Sequence, residues 1–226
     1  MEKEIIKYVT VHKEKMKQEI SLLLNRDNTV LAAQKAFLFY FGENPKPFQQ
    51  YYIQTIANRD NYLSSADFFR VFKQKYSLQG IDNNFLDMLE KEKEVILKYI
   101  DNSDLPTLYF GFFASAPIQH GSKTVNKDLG SFFAKLVHTF CPDKYCALDN
   151  PIKNYFGLNK ESFYVAFIIV SQAYEEWARE NPILMQQIRT ELEKNSVAKT
   201  YSAKMTNLKL LDMIFWCQAN KASENG

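Results

Sequence analysis

The chain has 226 residues, 46% of them hydrophobic, 15% aromatic and 24% charged, with a formal net charge of +2. Seven Gly and seven Pro, about 3% each, lie below the usual ~7% and ~5% and argue against a turn-rich sandwich or a Gly-rich nucleotide-binding unit. Eighteen Phe, thirteen Tyr and two Trp exclude a solvated coil, three Cys are no disulfide framework, and no apolar run reaches the ~18 residues of a membrane helix.

The start, Met1-Glu2-Lys3-Glu4, carries no signal-peptide pattern, so a cytoplasmic protein away from membranes is expected. Helical periodicity then dominates. Glu2 to Leu24 sets Ile5, Val9, Met16, Ile20 and Leu23 on one stripe, which predicts an amphipathic helix. After Asn25–Asn28, a second helix is predicted from Thr29 to Phe41, stopped by Gly42 as a left-handed cap. Pro45 and Pro47 open a third. Ser64-Ser65-Ala66-Asp67 reads as a helix start, a Ser side chain capping free amides ahead of Phe68, Phe69, Val71 and Phe72. Asp82 begins a further helical stretch with Phe85, Leu86, Leu89, Ile96 and Ile100 inward.

Asp104-Leu105-Pro106 introduces the aromatic run Leu108–Phe113, predicted as a buried helix, and Ala116-Pro117 to Gly121-Ser122 reads as a linker. Helices are expected at about 126–140, 149–156, 159–180 (capped by Asn159) and 202–218. Asn181-Pro182 opens another between the last two, and a frayed tail follows Ala219. The fold class is all-α: a compact bundle of about ten helices with short connections. One unit, 1–226, is expected, its two helical halves (1–118 and 119–226) flanking a cleft.

Chemistry concentrates between Asn126 and Leu158. Leu129-Gly130 reads as a tight turn feeding a helix with Phe132, Phe133, Leu136, Val137 and Phe140. Gly130 there leaves first-turn amides uncovered, a setting that suits phosphate. Tyr145-Cys146-Ala147-Leu148 then leads to Asp149, directly before Asn150-Pro151. In that position the carboxylate is either an N-cap or, after four largely apolar residues, a partly desolvated cleft group with a raised pKa. Lys123, Lys127, Lys135, Lys144, Lys153 and Lys160 outnumber the acids in this stretch, as five Lys outnumber Asp212 between 194 and 221. These two segments either meet a phosphate backbone or are ordinary solvated faces.

His138, Cys141 and Cys146 have the spacing H-x₂-C-x₄-C, which lacks the second ligand pair of a zinc site, so no metal and no cofactor are expected. No P-loop, G-x-S-x-G elbow or H-E-x-x-H occurs.

Gly130-Ser131-Phe132-Phe133-Ala134, Asp149 about twenty residues on and the closing Gly157-Leu158 resemble the helix-hairpin-helix DNA glycosylase superfamily. The likeness is greatest to its diverged relatives similar to 8-oxoguanine DNA glycosylase. Leu210-Leu211-Asp212-Met213-Ile214-Phe215-Trp216 is similar to their closing helix. The resemblance covers about 33 residues plus that helix. It implies DNA as a salt-sensitive partner and hydrolysis of the N-glycosidic bond of a damaged base, Asp149 stabilising the cationic sugar. Lys123, Lys127, Gly130, Ser131 and Lys153 become candidate DNA contacts. Phe112, Phe132 and Trp216 become candidate walls for a flipped base. The position of the Schiff-base Lys in bifunctional members aligns with Phe132, which puts β-lyase chemistry in doubt, and Lys135 is the nearby candidate nucleophile. The residues also fit a non-catalytic helical binding module derived from the same fold, and they leave the oligomeric state open.

Overall fold

In this computed structural model, which describes residues 2–42, 51–54, 61–78 and 80–224, helix α1 (Glu2–Leu23) lies along helix α10 (Phe163–Glu180). Met16 and Ile20 are buried there. Lys13 reaches Glu176 at 2.7 Å and Lys17 reaches Glu180 at 2.8 Å. Trp177 donates to Ser21 Oγ at 2.9 Å. The side chain of Ile5, and Pro45 and Pro47 with the helix expected from them, lie outside the described residues.

Helix α2 (Thr29–Phe41) packs on α11 (Pro182–Lys194) and α13 (Asn207–Glu224). Gly42 ends α2 at φ −69°, so it is no left-handed cap. A Cβ there would stand 2.5 Å from the Leu38 carbonyl oxygen, and close approach is what the glycine allows.

Three short or medium helices follow: α3 (Asn61–Ser64), α4 (Phe68–Lys75) and α5 (Asn83–Lys91), the last continued by α6 (Lys93–Asp101). No Ser caps α4. The Phe69 amide instead donates to Glu90 Oε1 at 2.6 Å, so a carboxylate on α5 fills one of the four unsatisfied donors at the start of α4. Asp82 caps α5 as expected, accepting from Phe85 N at 2.9 Å.

The aromatic run is helix α7 (Leu105–Leu108) continued as a π-turn over Tyr109–Phe113. Tyr109 and Phe113 are buried, but the wider turn leaves Phe110 64% exposed, which corrects the expectation of a wholly buried helix. The expected linker is an antiparallel hairpin of β1 (Ala116–His120) and β2 (Lys123–Lys127), with Ile118 opposite Val125.

Helices α8 (Gly130–Phe140), α9 (Asn150–Tyr155), α10, α11, α12 (Ser196–Lys199) and a 3-10 turn (Ser202–Lys204) lead to α13. Ser162, not Asn159, caps α10. Asn181 stands between the two helices, at the N-cap position of α11 ahead of Pro182 as expected, but its side chain turns back to the Trp177 carbonyl at 2.9 Å and caps no amide of α11. The expected frayed tail is helical as far as Glu224.

Helix α13 contacts α2, α9 and α10, and its residues from Leu208 to Phe215 are buried without a break. A helix buried all round sits in the core, and here it carries two charged residues inside. All-α architecture therefore holds among the described residues, the hairpin being the one sheet. No helix of the described residues is long and apolar enough to cross a membrane.

Candidate functional site

On α13, Lys209, Asp212 and Trp216 stand at i, i+3 and i+7, which places them on one stripe of the helix. All three line a cavity of about 220 Å³ together with Tyr40, Lys135, Ala147 and Asp149. The end of α4 and the turn after it complete the lining with Lys75, Tyr76 and Ser77. Five separate stretches of the chain thus converge on one recess, to which the core helix contributes Lys209, Asp212 and Trp216.

Asp149 caps a helix and also lines the recess. Oδ1 accepts from the Ile152 amide at 3.2 Å, capping α9, while Oδ2 accepts from Trp216 Nε1 at 2.8 Å on the cavity wall. Lys135 Nζ lies 3.9 Å from the same Oδ2 and donates to Ser131 Oγ at 2.7 Å. The Trp216 ring is flanked by Phe39 and Tyr40 at centroid distances of 5.4 and 5.9 Å, a tilted aromatic wall of the kind that holds planar groups.

Behind this wall lies a second charge pair. Lys209 Nζ is 3.5 Å from Asp212 Oδ2, with the two residues 4% and 6% exposed. Burial pushes the Asp212 carboxyl up to about 6, opposed by Lys209 and reinforced by Asp149. Burial also lowers the Lys209 ammonium, against the pull of Asp212. Asp212 Oδ1 is buried without a hydrogen-bond partner among the described residues. Lys209 Nζ lies 4.9 Å from the centre of the Tyr52 ring, on which His138 stacks at 5.2 Å. Desolvation pushes the His138 imidazole down to about 3, and its Nδ1 is bound to the Tyr145 carbonyl at 2.6 Å. That bond holds the ring for packing, while no three His, Cys, Asp or Glu among the described residues are grouped to hold a metal ion.

Asp149, Lys135 and Trp216 are therefore brought together, with Ser131 bonded to Lys135; the remaining candidates are not. Phe132 is a core residue between Phe72 and Phe113, and Phe112 packs toward Tyr99 at 6.5 Å; neither lines the cavity. Lys123 and Lys127 are exposed on the hairpin. Lys153 donates to the Glu161 carbonyl at 2.6 Å.

The open amide expected at Gly130 is closed. It donates to Asp128 Oδ1 at 2.8 Å, and the Asp128 carboxylate also accepts from Tyr109 at 2.9 Å. The Phe163 ring covers Gly130 so closely that a Cβ would fall 2.1 Å from it. Gly130 is a packing glycine that lets α8 and α10 approach.

Sequence reasoning missed Lys209, Asp212, Tyr40 and Tyr76. The available signal was the run from Leu208 to Phe215, apolar at every position except Lys209 and Asp212, which marks a buried pair more than a solvated face. No protein-family model, no curated protein and no solved structure matches this chain.

Proposed function

We propose that the chain is a DNA-binding N-glycosylase of the base-excision type, hydrolysing the bond between a damaged base and its sugar with Asp149 as the key carboxylate. One observation carries this reading: Asp149 lines a half-open recess, its Oδ2 held by Trp216 and faced by Lys135. A carboxylate fixed in that way stabilises positive charge developing on the sugar more than it stabilises the ground state. A base reaches such a recess only when turned out of the helix, and Trp216 and Tyr40 provide aromatic faces for it. The exposed lysines of the hairpin, Lys123 and Lys127, are assigned to phosphates, so affinity falls with salt and each Lys→Ala change lowers the salt slope by about 1.

Duplexes bearing an oxidised, a deaminated or an alkylated base test the reading, with alkali cleavage revealing abasic product. Asp149→Asn is expected to abolish product while leaving duplex binding in place. No abasic product from any of the three lesion classes overturns the assignment.

A second reading, a non-catalytic helical module of the same descent binding nucleic acid or protein, is favoured by the occupancy of Asp149. Both of its oxygens already accept hydrogen bonds within the protein. Salt-sensitive DNA binding with no product identifies that case.

A further inference from the structure

The recess shares a residue with a second cavity. Ser77 lines both the recess and a hollow of about 400 Å³, whose other polar lining comes from Arg70, Lys73, Gln74 and Asn83. The turn that closes α4 is therefore the ridge between the two. The Ser77 amide donates to the Gln74 carbonyl at 3.2 Å and the Leu78 amide to the Lys73 carbonyl at 3.0 Å. Ser77 stands there in left-handed backbone at φ 51°, where a helix end ordinarily carries glycine. A side chain kept exposed on strained backbone is a feature that clusters at ligand contacts.

Charge around the ridge is unevenly spent. Asp67 and Asp87 both hold Arg70, and Asp82 accepts from the Phe85 and Gln119 amides. Lys75, on the recess lining, and Lys127 have no ion-pair partner among the described residues. Lys127 Nζ reaches the same turn, so near that a Cβ on Gly80 would stand 3.0 Å from it. Lys73 donates to the neighbouring Ile81 carbonyl and keeps its other two N–H donors. Three ammonium groups thus gather about one serine, while the nearby acids are occupied. Hydroxyl and ammonium donors set side by side are what phosphate oxygens accept from, and such contacts fix the register of a strand.

We propose that the turn at Ser77 is a saddle for one phosphodiester of a nucleic-acid strand whose adjoining nucleotide enters the recess. Ser77 Oγ donates to a phosphate oxygen, with Lys75 on the recess side and Lys73 and Lys127 on the other. The proposal deepens the reading above and rests on it for the nucleic acid. It adds where the strand crosses the protein.

The test measures, by fluorescence anisotropy, binding of the full chain to a duplex carrying a tetrahydrofuran abasic residue. Phosphates flanking that residue are replaced one at a time by neutral methylphosphonate. In the wild type one such replacement is expected to lower affinity about tenfold. In Lys75→Gln the same replacement is expected to change affinity less than about twofold, because the phosphate charge has already lost its partner. Ser77→Gly suits the left-handed turn, so the fold is kept, and it is expected to weaken binding of the unmodified duplex at least about threefold. Lys199→Gln changes an exposed lysine on α12 that lines neither cavity, and is expected to keep the full methylphosphonate effect. Wild-type binding with Lys75→Gln and Ser77→Gly matching it, phosphate by phosphate, overturns the saddle and leaves the DNA reading standing. No salt-sensitive binding of the duplex by the wild type overturns the DNA reading, and the saddle with it.

Discussion

Trp216 donates its indole N–H to Asp149 Oδ2 at 2.8 Å, so the carboxylate that caps α9 also ties α9 to the core helix. Trp216→Phe keeps the ring against Phe39 and Tyr40 but removes this donor. A hydrogen bond to a charged group contributes about 1.5–3 kcal/mol, and the variant is expected to lose that much in urea denaturation at neutral pH. An unchanged midpoint means the bond adds nothing to the fold.

Gly130→Ala drives a methyl group into the Phe163 ring. Overpacking of this kind costs about 1–3 kcal/mol. Combining it with Phe163→Leu, which makes room, is expected to give a smaller loss than the two single changes added together, a coupling read from a double-mutant cycle.

Two buried groups make opposite contributions to acid stability. His138, pushed down to about 3, stays neutral in the fold. Its stabilisation is complete above its unfolded value near 6.5 and is lost as pH falls toward 3. Asp212, pushed up to about 6, stabilises most below its unfolded value near 3.8 and loses that contribution as pH rises through 6. Between about pH 4 and 6 the two slopes, each up to about 1.4 kcal/mol per pH unit, oppose one another. Asp212→Asn is expected to unmask the histidine, so that stability climbs more steeply with pH across this window than in the wild type. Denaturant midpoints measured at half-unit steps check it, and parallel curves for the two proteins count against it.

Glu90 serves two masters: the Phe69 amide at 2.6 Å and the buried Lys93 ammonium at 2.5 Å. Glu90→Ala leaves both without that partner, and removing one member of such a pair costs about 3 kcal/mol or more. Glu90→Gln retains an acceptor for the amide and is expected to lose about half as much, measured by the same denaturation.

Helix periods were legible because stripes such as Phe85, Leu86 and Leu89 or Leu208, Leu211 and Phe215 repeat at helical spacing and are all buried. Asp149 was legible as cap and as wall since an apolar run precedes it and Pro151 follows. The hairpin was not, because every residue of β2 is exposed and no alternation of apolar and polar residues marks it. Lys209 and Asp212 were hidden by their own spacing: an i, i+3 pair of opposite charge is the usual mark of a wet helix face. Their burial depends on α2 and α9, which lie far away along the chain. Phe112 and Phe132 were misplaced for want of any local signal separating a core aromatic from a pocket aromatic. Helix ends read no better where the capping group is remote, as Glu90 is from α4.

The pairing of α1 with α10 also bears on how the protein is made. The apolar stripe around Met16 and Ile20 leaves the ribosome well before its berth along Phe163–Glu180, which follows only after some 140 further residues. At about 5–20 residues per second, that wait spans about 7 to 28 seconds, during which an oily helix is bare. Such a long-range closure slows folding, and until it forms the bare stripe is apolar surface of the kind that promotes aggregation.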